Sequence, residues 1–202
     1  VDEAHCISDW GHDFRPDYRR IRRILANLPE GIPVAATTAT ANDRVVEDIT
    51  HQVPDIEVIR GTLVRDSLRI QTIELGTRVR RLAWLAENFP DQEVAGIVYC
   101  LTRGDVERVT EWLTEQGHDV VAYHGRLDAD ERELVEQRLL ANEVDAVVST
   151  NALGMGYDKP DLGFVIHFQR PPNLIRYYQE IGRAGRQLDE AFAILLAGEE
   201  DD

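Results

Sequence analysis

The chain has 202 residues, 43% of them hydrophobic, enough to bury a sizeable core as one large domain or two small ones. No stretch approaches the roughly 20 apolar residues of a membrane helix, and no basic-then-apolar leader is present, so the expectation is a soluble, cytoplasmic protein with no membrane partner. The formal net charge is −15 and the pI about 4.8, with Lys159 the sole lysine. An acidic surface so poor in lysine suits concentrated salt, where screening removes self-repulsion. The plain alternative is an acidic surface with no special habitat. Cys6 and Cys100 lie too far apart in sequence to define a disulfide framework or a paired metal knuckle.

In chain order, Val1 leads into Asp2-Glu3-Ala4-His5, charged residues of the kind that cap a buried apolar strand. No such strand precedes them, so the chain is expected to begin partway through a domain. Residues 16–28 have helical spacing, with Ile21, Ile24, Leu25 and Leu28 on one face and Pro29-Glu30-Gly31 as the stop. A short buried strand is predicted at 32–36, a turn at 37–41, a helix at 43–51 capped by Asn42 or Asp43, and a strand at 57–60. Residues 61–77 form a polar passage with one alternating stretch, 68–73, and are expected to join two domains. Beyond it the spacing predicts helix 78–88, strand 94–99, helix 105–116, strand 120–123, helix 129–140, strands 146–149 and 164–167, helix 174–181 and strand 192–196. The resulting division is a first domain at 1–60, a linker at 61–77, a second domain at 78–198 and an acidic tail at 199–202. Alternating helices and short apolar strands mean an α/β fold with a parallel sheet covered on both faces. Ligands of such sheets sit at the carboxyl ends of the strands, where residues 2–5, 37–41 and 150–159 fall.

Adjacent carboxylates at a strand end, Asp2 and Glu3, suit nucleotide hydrolysis: one holds the magnesium shell while the other orients water. A merely polar strand end is the plain alternative. Arginines cluster at Arg15, Arg19, Arg20, Arg22 and Arg23, and again at Arg176, Arg183 and Arg186, so an acidic total does not preclude a local phosphate site. In Gly182-Arg183-Ala184-Gly185-Arg186 small residues admit a close phosphate and guanidinium forks match its oxygens. Solvated arginines on a glycine-rich helix end are the plain reading of the same string.

The ordered series Asp2-Glu3-Ala4-His5, Thr38-Ala39-Thr40-Ala41, residues 150–160 and Gln179-Glu180-Ile181-Gly182-Arg183-Ala184-Gly185-Arg186 resembles the motifs of superfamily 2 helicases, the first being a DEAH box. Residues 2–18, Asp-Glu-Ala-His-Cys-Ile-Ser-Asp-Trp-Gly-His-Asp-Phe-Arg-Pro-Asp-Tyr, are similar to the combined motif and aromatic-rich loop of the RecQ family of DNA helicases. The resemblance implies two RecA-like parallel-sheet lobes, the first truncated on its N-terminal side, with ATP and Mg²⁺ as cofactors and single-stranded and forked DNA as partner. It further implies 3′ to 5′ translocation and unwinding, in DNA repair or recombination. Asp2 would hold magnesium through water, Glu3 would orient the attacking water, and His5 would couple nucleotide state to DNA. Thr38 and Thr40 would link the lobes, and Asp158 would report on the nucleotide. Gln179, Arg183 and Arg186 would face the triphosphate, with Arg186 as the finger. Trp10, His12, Phe14 and Arg15 would sense single-stranded DNA by stacking and phosphate contact, while Gly125, Arg126 and Thr150 would lie along its backbone.

Departures accompany the likeness. No Gly-x-x-x-x-Gly-Lys-Ser/Thr string occurs, so the isolated chain is expected to be inactive, and Asp9 stands where the family usually has glutamine. A solitary motor domain that binds nucleic acid or a partner without hydrolysis is therefore a competing reading. A zinc site on His5, Cys6 and His12 matches no ligand spacing, so no zinc is expected. A Cys6 nucleophile leaves every other motif unexplained. RNA stays open as a substrate, with the aromatic loop favouring DNA.

Overall fold

Short, mainly apolar strands must lie inside a sheet covered on both sides. Three such strands form its centre in the computed structural model, which describes residues 1–7, 19–25, 27–29, 31–52, 56–62, 64–90, 93–153 and 157–201. β2 (Gly96–Tyr99), β4 (Ala146–Ser149) and β5 (Phe164–His167) are buried at every position. With β1 (Leu68–Glu74), β3 (Val120–Tyr123) and β6 (Ala191–Ala197) they make a six-stranded sheet of order β1-β6-β5-β2-β4-β3, every adjacent pair parallel.

Strand alternation sends each face to its own core. On one side Val98, Cys100, Phe164, Ile166 and Phe168 pack on Leu85 and Phe89 of α3 (Arg78–Asn88) and its C-cap, and on Val106, Val109 and Leu113 of α4 (Arg103–Glu115). On the other, Ile97, Tyr99, Val147, Val165 and Ala193 pack on Leu139 of α5 (Ala129–Leu140) and Ile181 of α6 (Leu174–Ile181). The helix starts are legible as chemistry: Thr77, Thr102, Asp128 and Asn173 each accept a hydrogen bond from a first-turn amide, and Asp128 with Glu131 completes a capping box.

The chain divides into two compact units, Val1–Leu63 and Val64–Asp202. The first is sparser. It holds a 3-10 turn at Ala4–Ile7, α1 (Arg19–Leu25) and α2 (Asp43–Gln52), with Ala4, Val45 and Ile49 as its buried centre. Asn42, one of the two expected caps, accepts from the Val45 amide.

Several expectations need correction. Residues 32–36 and 57–60 form no strands; both run largely exposed, and among the described residues the backbone bonds around the first join Ile32 to Pro29, Ala4 to Thr37 and Thr37 to Val1, with the amino terminus on Ala35. A strand assignment needs a continuous ladder, which apolar content alone does not supply. Of the predicted helix 16–28, α1 covers 19–25 and residues 27–28 turn, while residues 16–18 and 26 lie outside the described residues. The expected linker 61–77 contains β1 and the Thr77 cap, because its alternating Leu-Arg-Ile-Gln-Thr-Ile pairs rung for rung with β6. The expected acidic tail is not a free tail: residues 199–201 form a 3-10 turn, and Asp201 pairs with the fully buried Arg81 at 3.0 Å. Among the described residues no helix is long and apolar enough to cross a membrane.

Candidate functional site

In the first unit the paired carboxylates are held differently. Asp2 Oδ1 accepts from the Thr37 hydroxyl at 2.8 Å and from the Glu3 amide at 2.9 Å. These two donors, the hydroxyl first, hold the exposed Asp2 carboxyl below its ordinary range, so it is ionised at neutral pH. Glu3 adopts a left-handed backbone, φ +48°. Its Oε2 lies 3.1 Å from His5 Nδ1, an ion-pair distance without hydrogen-bond geometry. His5 is buried, and the same Nδ1 is 2.9 Å from Thr38 Oγ1 and 3.5 Å from Thr40 Oγ1. Sequence reasoning assigned His5, Thr38 and Thr40 separate coupling roles; the fold joins them in one hydroxyl–imidazole cluster. Cys6 Sγ lies 3.6 Å from His5 Nε2, but both residues are at most 2% exposed, closing that pair to a substrate.

The second constellation lies where α6 ends. Arg183 Nη1 donates to the Tyr157 carbonyl at 2.9 Å, and Arg186 Nη1 donates to Asp158 Oδ1 at 2.5 Å. Two stretches nearly thirty residues apart, Tyr157-Asp158 and Gly182–Arg186, thereby form one site. Gln179 is half-buried on α6, one helical turn before Arg183. Arg186 and Asp158 are both exposed, so their pair is worth at most about 1 kcal/mol and can be exchanged for a phosphate at little cost.

Beneath these arginines runs a buried polar seam that sequence reasoning missed. Glu180 Oε2 lies 2.8 Å from His167 Nε2 and accepts from it when that ring nitrogen carries the proton, and Glu180 Oε1 accepts from Arg176 Nε at 2.9 Å. His167 stacks on Tyr99 at 5.4 Å, and burial raises the Tyr99 phenol well above its ordinary range. Two signals could have found the seam: a histidine ending the apolar strand Phe-Val-Ile-His, and a buried acid inside the motif itself. Arg65 and Ser67 were also missed. Arg65 Nη1 donates to the Gly182 and Ala184 carbonyls at 2.9 and 2.8 Å, and Ser67 Oγ donates to Gly185 at 2.9 Å. Nothing in the local sequence marks them.

A third group follows the strand ends. Tyr99, Tyr123 and Ser149 are in register across β2, β4 and β3, so the segments after them emerge side by side. Thr150 donates its amide to the Tyr123 carbonyl at 3.3 Å, placing it next to the turn that carries Gly125 and Arg126. Gly125 faces open space, and Arg126 is exposed with no ion pair among the described residues. Thr102 and Arg103, unassigned by sequence reasoning, open α4 beside them; buried Asp105 fixes that turn by accepting from Thr102 and Gln169 at 2.7 and 2.8 Å. Trp10, His12, Phe14 and Arg15 lie outside the described residues, as do residues 154–156.

An exposed ionised carboxylate with one oxygen engaged fits Mg²⁺, a hard ion that takes one or two protein carboxylates and keeps its waters. Among the described residues no group of three or more His, Cys, Asp or Glu gathers as a metal site.

Comparison with known proteins places these groups in context. Residues 79–187 match the family described as helicase conserved C-terminal domain. The chain is 38% identical over 203 residues to the RecQ-like DNA helicase blm-1 of Caenorhabditis elegans, covering 97% of this chain and 20% of that protein. It is 38% identical over 200 residues to the ATP-dependent DNA helicase RecQ of Pasteurella multocida, covering 97% and 31% respectively. It therefore spans less than a third of either relative. Among solved structures, Dbp5 of Saccharomyces cerevisiae, bound to RNA and ADP BeF3, superposes with a TM-score of 0.78 at 20% identity, covering 99% of this chain and 53% of that one. That likeness shows the RecA-like α/β fold.

Proposed function

The chain belongs to the helicase conserved C-terminal domain family and is RecQ-like along nearly its whole length, and from that premise we propose that the native protein is an ATP-dependent DNA helicase. The observation that carries the reading is the joined site of Tyr157-Asp158 and Gly182–Arg186. One arginine is braced on a backbone carbonyl, and the other is exposed and, among the described residues, held by an exposed carboxylate.

In this reading Arg186 leaves Asp158 for the γ-phosphate and stabilises charge as it develops there. Arg183, already fixed by the Tyr157 carbonyl, meets a second phosphate oxygen, and Gln179 flanks them. Asp2 would hold Mg²⁺ through water, and the ion, when bound, neutralises phosphate charge. Glu3 orients the attacking water. His5, shared between Glu3 and the two threonine hydroxyls, senses the state of that carboxylate and relays it to the Thr38–Thr40 turn. Gly125, Arg126 and Thr150 follow adjacent strand ends and offer an amide-rich, cationic row to a DNA backbone. Trp10, His12, Phe14 and Arg15 would add base stacking. Single-stranded and forked DNA, 3′ to 5′ movement and a cytoplasmic setting belong to the same proposal.

The test is Arg186→Ala in the native protein. DNA-stimulated ATP hydrolysis is expected to fall by about a thousandfold or more, with DNA affinity within about threefold of the parent, since Arg186 is not among the DNA-facing residues. Equal loss of both activities overturns the assignment. DNA binding without any ATP hydrolysis in the parent would instead favour a non-hydrolysing nucleic-acid module.

A further inference from the structure

α6 ends in a loop whose backbone would be costly to leave unsupported. Helix ends leave carbonyls without intrahelical partners, and here the chain must also pass Gly185 at φ +68°. Three of the loop's carbonyls, those of Gly182, Ala184 and Gly185, are all taken by one short segment at the start of the second unit. A single guanidinium nitrogen of Arg65 donates to the first two, and the Ser67 hydroxyl donates to the third. Ser67 is itself anchored: its carbonyl accepts from the Ala191 amide at 2.8 Å, where β6 begins beside β1. The fit is tight, since a Cβ on Gly185 would come within 2.8 Å of Ala191 Cβ and 3.2 Å of Ser67 Oγ. A positive charge on these carbonyls also complements the negative end of the helix dipole.

The residues between the clamped carbonyls are the chemical ones. Arg183 lies between Gly182 and Ala184, and Arg186 follows Gly185 directly. We propose that Arg65, assisted by Ser67, is the positioning residue that holds the Gly182–Arg186 loop in the geometry its arginines need to meet phosphate. The inference rests on the helicase reading above and adds to it a residue outside any of the motifs that identify the site. Arg65 touches no substrate in this role; it acts through the backbone on either side of Arg183.

The test compares Arg65→Ala, Ser67→Ala, Arg186→Ala and the double variant R65A/R186A in the native protein. Placement errors near one ångström cost up to about a hundredfold, so R65A is expected to lower kcat for DNA-stimulated ATP hydrolysis by about tenfold to a hundredfold, with KM for ATP and DNA affinity nearly unchanged. The double variant is expected to be no slower than R186A, because a mispositioned loop matters little once its arginine is gone. Hydrogen exchange at the Gly185 and Gln187 amides, which are bonded to the Leu162 and Pro160 carbonyls, should quicken in R65A by about fivefold to tenfold, the factor one lost hydrogen bond is worth. Should R65A fail to fold, S67A carries the same readouts with smaller effects. Parental kcat in R65A, losses that multiply in the double variant, or unchanged loop exchange each overturns the proposal. If the parent protein hydrolyses no ATP, the helicase reading falls, and the exchange readout alone decides whether Arg65 holds the loop.

Discussion

Arg81 is the largest fully buried side chain of the second unit, and what surrounds it decides whether that is tolerable. Its guanidinium donates to the Phe168 carbonyl at 2.9 Å and to both Asp201 oxygens at 3.0 and 3.1 Å, with the Phe168 ring 5.3 Å away. A buried charge that loses its partner costs about 3–5 kcal/mol, so Asp201→Ala is expected to lower unfolding stability by that amount in a urea titration. A loss below about 1 kcal/mol would rank the pair with exposed ion pairs instead. The acid belongs to a stretch that sequence reasoning took for a tail. Its partner lies 120 positions upstream, and a run of acids at a chain end looks the same whether or not one of them turns inward. Lys159 is similar: the one lysine is not a surface charge but is buried, donating to Asp161 at 2.7 Å and depressing that carboxyl below its ordinary range.

Among the elements, those of the second unit were legible nearly to the residue. Helices 78–88, 129–140 and 174–181 and strands 120–123, 146–149 and 164–167 form where spacing placed them, because periodicity, caps and burial agree there. β1 was seen as an alternating stretch yet placed in a linker. Its half-polar pattern suits an edge strand, and only pairing with β6 distinguishes an edge strand from an extended connection. In β2, the glycine is a packing requirement: a Cβ at Gly96 would fall 2.3 Å from the buried Phe164 ring of the adjacent strand. Gly96→Ala must displace that ring within the core, at a cost of about 1–3 kcal/mol. Thermal unfolding checks this, and the companion Phe164→Leu, which vacates the space, should recover part of the loss. Failure of the pair to couple would show that the ring is not what Gly96 accommodates.

At the scale of the whole molecule the net charge of −15 sets the expectation. Raising KCl from about 0.1 M to about 1 M shrinks the Debye length from about 10 Å to about 3 Å, so self-repulsion among surface carboxylates should fall and the melting temperature rise. A melting temperature highest in dilute buffer would remove the salt-adapted reading. The acidic total coexists with local cationic groups, Arg126 at a strand end and Arg186 beyond α6, because charge acts over a Debye length rather than over a composition.

By itself the sequence determined the α/β class, the elements of the second unit from α3 to β6 and the identity of the motif residues, since each depends on periodicity or on residues close together in the chain. Tertiary structure alone decided which distant groups share a site. The pairing of Asp158 with Arg186, the gathering of Thr38 and Thr40 on His5, the Glu180–His167 seam and the Arg65 clamp all join residues from separate segments. Such contacts arise when a sheet brings loops together, and hydrogen-bonding groups carry no mark in sequence of the partner that burial will force on them.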